Sequence, residues 1–171
     1  MPDFYGTVTA ANAYHQARGN TAWIGSDAEK TAALLRASLY VDSLGRRQTD
    51  SGAWNSLFSG TKDGGRAQSR EWPRIRAFDF GGSAIDAATV PIEVEQATYE
   101  AALREVASPG SLNPDYVPAS LVKREKSGPW EEEYFAPGEG TNPNQPLISI
   151  VLALLAPVMR SARSGMAIMV V

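Results

Sequence analysis

A mainly α-helical domain, a bundle of about four helices with a β-hairpin insertion and an extended C-terminal arm, is predicted by three features of this sequence. Apolar residues recur at helical spacing in four separate stretches, capping and stop residues bracket most of them, and Gly and Pro crowd the connections. The 171 residues are 43% hydrophobic and 20% charged, a globular balance, and the length suits one core with appendages better than two domains.

The first stretch, Thr7 to Arg18, fits a short helix capped by Thr7 or Thr9 and stopped at Gly19-Asn20, with Ala10, Ala13, Tyr14 and Ala17 on one face. The second is the clearest. Ser26 caps it, Glu29 completes a capping box, and Gly45 follows its end at Leu44. Leu34, Ala37, Val41 and Leu44 form its stripe, widened by Leu35 and Leu39. From Arg46 to Val90 the chain reads as long and irregular. A short helix over residues 65–71 is predicted there, along with a tiny hairpin of Ala77 to Phe80 and Ser83 to Ile85 about Gly81-Gly82. Pro91 opens a third helix reaching Ala107, with Glu93 and Glu95 at its positive end. Ile92, Tyr99, Leu103 and Val106 form one apolar stripe and Val94, Ala97 and Ala101 another, which suits a central helix. Residues 121–126 and 130–135 read as a hairpin with cations on one strand and carboxylates on the other. A Gly-, Pro- and Asn-rich linker then leads to a last helix over 147–163. Residues 1–164 are thus expected to form one domain, with the hairpin insertion at about 117–136, the linker at 137–146, and 165–171 as an arm.

Composition narrows the chemistry. With no cysteine and one histidine, disulfides, thiolate metal sites and the common zinc constellations are excluded within one chain. The net charge of -3 argues against a surface built throughout for gripping nucleic acid. The N-terminus lacks the basic and apolar regions of a signal peptide. Leu147 to Met159 is broken by Pro157 and falls short of the roughly 20 residues that span a bilayer. A soluble, intracellular protein without membrane contact is expected.

No catalytic centre is predicted. His15 lies among alanines with no nucleophile motif nearby and reads as a helix-packing residue. Glu131 to Glu133 are consecutive on a predicted strand, so alternate side chains face opposite ways and cannot make an acid/base pair. No EF-hand, P-loop or complete Gly-x-Gly-x-x-Gly is present, and no metal or cofactor is implied. The densest basic run, Lys62, Arg66, Arg70, Arg74 and Arg76, surrounds Trp72 and includes Asp63 and Glu71. It admits two readings: a phosphate grip with a base stacked on Trp72, or a buried Trp72 with arginines meeting carboxylates of the chain. The favoured expectation is the second.

The last seven residues, Gly165 to Val171, are almost wholly apolar. Such an end either packs on its own core or is lent to another subunit as an added strand.

In its ordered motifs the chain resembles a tailed-bacteriophage family of small head-to-tail connector proteins, often labelled DnaT-like single-stranded-DNA-binding proteins. The resemblance rests on Ala13-Tyr14-His15 with Ala17-Arg18-Gly19, Ala32-Ala33-Leu34 with Arg36-Ala37, and Gly60-Thr61-Lys62 with Arg66-Ala67-Gln68. It extends to Trp72-Pro73-Arg74, Val90-Pro91, Val122-Lys123-Arg124-Glu125-Lys126 with Gly128-Pro129, and Leu154-Leu155-Ala156-Pro157 before Arg160. It implies a structural protein of the virion neck, made in the bacterial host cytoplasm. As an adaptor it would form a homo-oligomeric, twelve-fold ring beneath the portal protein, extend the DNA channel without sequence-specific binding, and receive the tail or stopper protein. The expected portal contacts are Leu147, Ile148, Ile150, Val151, Leu154, Leu155, Arg160, Arg163, Met166, Ile168, Met169, Val170 and Val171. Ring or tail contacts are expected at Lys123, Arg124, Glu125, Lys126, Glu131, Glu132 and Glu133. The family label itself implies the alternative, a single-stranded-DNA-binding replication accessory protein, for which the run from Lys62 to Arg76 is the discriminating feature.

Overall fold

In the computed structural model, which describes residues 3–49, 51–115, 124–127, 130–133 and 145–160, Thr7 opens the first helix, α1 (Val8–Ala17). Its hydroxyl accepts the Ala10 N–H at 3.0 Å, satisfying one of the donors that every helix start leaves over. The second helix, α2 (Asp27–Leu44), begins on the predicted capping box. Ser26 Oγ accepts the Glu29 N–H at 3.3 Å, and Glu29 Oε2 accepts the Ser26 N–H at 2.7 Å. Gly45 ends α2 for want of space rather than for a left-handed backbone: its φ is -77°, and a Cβ there would lie 2.0 Å from the Phe58 ring.

Pro91 caps α3 (Ile92–Ala107), and α4 (Ser149–Leu155) is the last α-helix among the described residues. Helix α3 packs against α1, α2 and α4, so the central role expected from its two apolar stripes is the one it has. Leu34, Ala37, Tyr40 and Val41 of α2 meet Val94, Ala97, Ala101 and Ala102 of α3 and Val151 and Leu155 of α4 in one buried core. Alanines at the contacts let backbones approach, while each buried leucine or valine contributes about 1.5–3 kcal/mol. Leu39, expected to widen the α2 stripe, is exposed, because five residues beyond Leu34 it has turned about 140° from the buried face.

The last helix is shorter than predicted. It gives way at Leu155 to a 3-10 turn, Ala156–Val158, because Pro157 has no N–H to continue the ladder and its ring crowds the carbonyl four residues back. Met159 is then extended and bridges Phe58; residues 161–163 lie outside the described set.

Between α2 and α3 the chain forms short antiparallel pairs. They are β1 (Arg46–Gln48) with β2 (Trp54–Ser56), β3 (Thr61–Lys62) with β4 (Arg74–Ile75), and β5 (Ala77–Phe78) with β6 (Ala84–Ile85). The last is the predicted tiny hairpin. The predicted helix over 65–71 is only a 3-10 turn, Gly65–Ala67. Gln68 breaks it: its side chain accepts the Gly64 N–H and donates to the Arg70 and Pro73 carbonyls, offering the backbone bonds a helix would otherwise make. Farther on, β7 (Arg124–Ser127) pairs antiparallel with β8 (Trp130–Glu133), the predicted charged hairpin.

Candidate nucleic-acid interface

Glu71 organises the region between the short strand pairs. Its carboxylate receives Arg74 Nη1 at 2.9 Å, Arg46 Nη2 at 3.0 Å and Lys62 Nζ at 3.6 Å. Three cations share one carboxylate, so the cluster carries a net charge of +2. Arg74 is buried; burial lowers the pKa of its guanidinium and Glu71 opposes that shift. Its other donors hold the loop opposite: Nε donates to the Ser59 carbonyl at 2.7 Å and Nη2 to the Gly60 carbonyl at 2.8 Å. Ser59 passes the constraint on. Its hydroxyl donates to the Phe78 carbonyl at 2.6 Å and accepts the Phe78 N–H at 2.8 Å, pinning the start of the aromatic segment.

That scaffold shapes an open cleft of about 1150 Å³. One wall carries Phe78 and Phe80, respectively 49% and 78% exposed. Arg47, Asn55 and Ser56 of the β1–β2 hairpin, Thr61, and the end of the α4 segment with Met159 and Arg160 complete the lining. The C-terminal segment is stapled in place. Arg160 donates its N–H to the Leu57 carbonyl at 2.7 Å, and Phe80 donates to the Pro157 carbonyl at 2.8 Å. Among the described residues the Arg47 and Arg160 guanidinium groups have no ion-pair or hydrogen-bond partner, and both residues are exposed. Among the described lining residues Asp79 is the one carboxylate, and its Oδ1 accepts the Ser83 N–H at 2.8 Å. Exposed rings beside unpaired arginines in a groove are what single-stranded nucleic acid requires: faces for bases and charge for phosphates.

Trp72, by contrast, is 1% exposed and packs edge-on against Phe58. Of the basic run, Arg74 and Lys62 meet Glu71 while Arg70 meets Asp42 at 3.2 Å, the intrachain pairing favoured from sequence. Arg66 and Arg76 are exposed. The exposed aromatic surface of the cleft is therefore that of Phe78 and Phe80, which the sequence presents only as arms of a hairpin. The Arg-Ala-Phe-Asp-Phe alternation at 76–80 was the available signal.

Other residues singled out from sequence are dispersed. Val151 and Leu155 are buried in the chain's own core, Ile148 and Leu154 are partly buried against it, and Leu147 and Ile150 are exposed. Arg160 lines the cleft. Arg163, Met166, Ile168, Met169, Val170, Val171 and Lys123 lie outside the described residues, as does the arm 165–171. In the register of the β7–β8 pair Arg124 stands opposite Glu133, Glu125 opposite Glu132 and Lys126 opposite Glu131, so the pattern of opposite charges expected from sequence has one exception at the Glu125 position. His15 is buried beside Tyr14, Trp23 and Tyr99, as the packing reading expects. Among the described residues no helix is long and apolar enough to cross a membrane, and no three His, Asp or Glu side chains are grouped to hold a metal ion.

The fold and cleft define a small mixed α/β fold, α-helices with short antiparallel strand pairs among the described residues, and a basic, aromatic groove. The chain belongs to the protein family described as "Putative DnaT-like ssDNA binding protein", whose sequence profile matches residues 2–171. No curated protein and no solved structure matches it. This membership corrects the head-to-tail adaptor reading: the family matched is described by single-stranded DNA binding, the alternative function, and nothing in the match points to a virion neck.

Proposed function

We propose that this protein binds single-stranded DNA as a replication accessory factor and seats the strand in the cleft between the β1–β2 hairpin, Phe78–Phe80 and Arg160. The observation that carries the reading is the pair of exposed rings beside two guanidinium groups that have no partner among the described residues, on a scaffold fixed by buried Arg74. Phe78 and Phe80 offer faces to successive bases, and base–aromatic stacking is worth about 1–3 kcal/mol per base whatever the sequence. Arg47 and Arg160 take backbone phosphates, supported by the +2 cluster around Glu71 behind them. Asn55 and Thr61 supply neutral donors for phosphate or sugar oxygens. An acidic chain can bind in this way because the positive charge is concentrated at one groove, where its field is local on the scale of the Debye length of about 8–10 Å.

Fluorescence anisotropy with a labelled oligo(dT) of about 15 nucleotides, at about 50 and 200 mM salt, tests the reading. Binding should be stronger at the lower salt, and Phe78→Ala combined with Phe80→Ala should weaken it at least about tenfold, since two stacking faces are lost. Absence of salt-sensitive binding by the unaltered chain would overturn the proposal. So would unaltered affinity in the double variant.

A further inference from the structure

Arg76 stands out on backbone grounds alone. It has a φ of 54°, the one left-handed non-glycine residue among those described, in a conformation that costs a side chain with a Cβ about 1–2 kcal/mol. Among the described residues nothing accounts for its side chain, since Arg76 is exposed and has no hydrogen-bond or ion-pair partner there. A glycine would accept this backbone without strain.

Its position is informative. Arg76 is the joint between β4, paired with β3, and β5, which carries Phe78 into the cleft wall. Its backbone is pressed against Gly60 of the cleft lining: a Cβ on Gly60 would fall 2.9 Å from the Arg76 carbonyl carbon and 2.3 Å from the Ile75 carbonyl oxygen. The left-handed turn thus changes the chain's direction between the buried Arg74 and the exposed Phe78. Arg76 joins the cleft lining through its backbone beside Gly60 and stands two residues in sequence before Phe78, the first ring of the cleft wall.

We propose that Arg76 is a backbone-phosphate contact for the bound strand, a cation maintained in a strained conformation because its charge serves binding. The inference rests on the single-strand reading of the cleft and adds a residue that does not line it. Strain retained at an exposed arginine without a partner among the described residues is the pattern of a residue held for recognition. A guanidinium there reads phosphate without reading sequence.

The test uses the full chain and oligo(dT), following affinity across a salt series for the unaltered protein and for Arg76→Asn, Arg76→Gly and Arg76→Lys. Asn tolerates the left-handed backbone and Gly relaxes it, so both variants should fold, and the unfolding midpoint of the Gly variant should equal or exceed that of the parent. Both should bind more weakly, and the slope of log affinity against log salt should shrink by about 0.7, the value for one phosphate contact on a single strand. Arg76→Lys should restore most of the slope. If the unaltered chain binds with salt sensitivity and the Asn and Gly variants match its affinity and slope, the Arg76 assignment is wrong and the cleft reading survives. If the unaltered chain shows no such binding, both fall together.

Discussion

Tyr5 joins the N-terminal segment to the scaffold of the cleft through hydrogen bonds that leave no polar atom of its ring idle. Its hydroxyl donates to Asp42 Oδ1 at 2.5 Å and accepts the Trp72 N–H at 3.0 Å, while Asp42 also accepts the Glu71 N–H and the Arg70 guanidinium. Burial pushes the Asp42 carboxyl above its ordinary range, with these donors pulling the other way. Tyr5→Phe strips the buried Trp72 N–H of its acceptor and should cost about 1–3 kcal/mol in urea unfolding. A second prediction concerns His15, whose Nε2 lies 3.2 Å from the Tyr99 carbonyl and whose Nδ1 lies 3.0 Å from Asn20 Nδ2. These partners fit a neutral ring with the proton on Nε2. Burial holds its pKa below the ordinary 6.5, against the opposing pull of Glu100. The unfolded chain therefore takes up a proton that the folded chain refuses, so this contribution is full above pH 6.5 and is lost as pH falls through the lowered value. Denaturation midpoints should decline as pH drops below 6.5, and His15→Gln should flatten that decline; a midpoint equally steep in the variant would assign the effect elsewhere.

At the level of elements, Glu105 ties the end of α3 to the segment that follows. Burial opposes its charge, yet the N–H groups of Gly110 at 2.8 Å and Leu112 at 3.0 Å and the Arg36 guanidinium together hold its pKa below the ordinary carboxylate range. Glu105→Ala leaves two backbone donors without their acceptor and should destabilise by about 3 kcal/mol or more, read from urea midpoints at constant slope. This contact spans several residues of loop, and no local pattern announces it. What is legible in sequence is local: the Ser26–Glu29 box, the apolar spacing of α2 and α3, and the glycine-centred β5–β6 hairpin. Strands of two or three residues such as β1 to β4 bear no alternation to read, and Arg46, Arg47, Trp54 and Asn55 look like an ordinary polar loop. The cleft was opaque for the same reason, since its walls come from residues 47–61, 74–80 and 159–160, brought together by tertiary bonds. Even Arg160, chosen from sequence for a different surface, contributes to it only because Pro157 ends the helix early.

For the whole molecule, the cleft joins the two ends of the helical framework. The segment after α2 and the segment after α4 meet through the Phe58–Met159 bridge and the Arg160-to-Leu57 and Phe80-to-Pro157 hydrogen bonds. A strand that contacts Phe78, Phe80, Arg47 and Arg160 at once can do so only while those segments are docked, so it binds the folded state alone. Mass action then stabilises the protein by about 2.7 kcal/mol at a ligand concentration of 100 times Kd. In a domain of this length that corresponds to a rise of about 5–10 °C in Tm. Thermal unfolding with and without oligo(dT) at low salt should show this rise, and added salt should shrink it as phosphate contacts weaken. Phe78→Ala with Phe80→Ala should unfold near the parent's temperature without DNA, because both rings are largely outside the core, and should lose most of the DNA-dependent rise. An equal rise in the double variant would mean that the strand is held on some other face, and the cleft would then be a by-product of how the two segments pack.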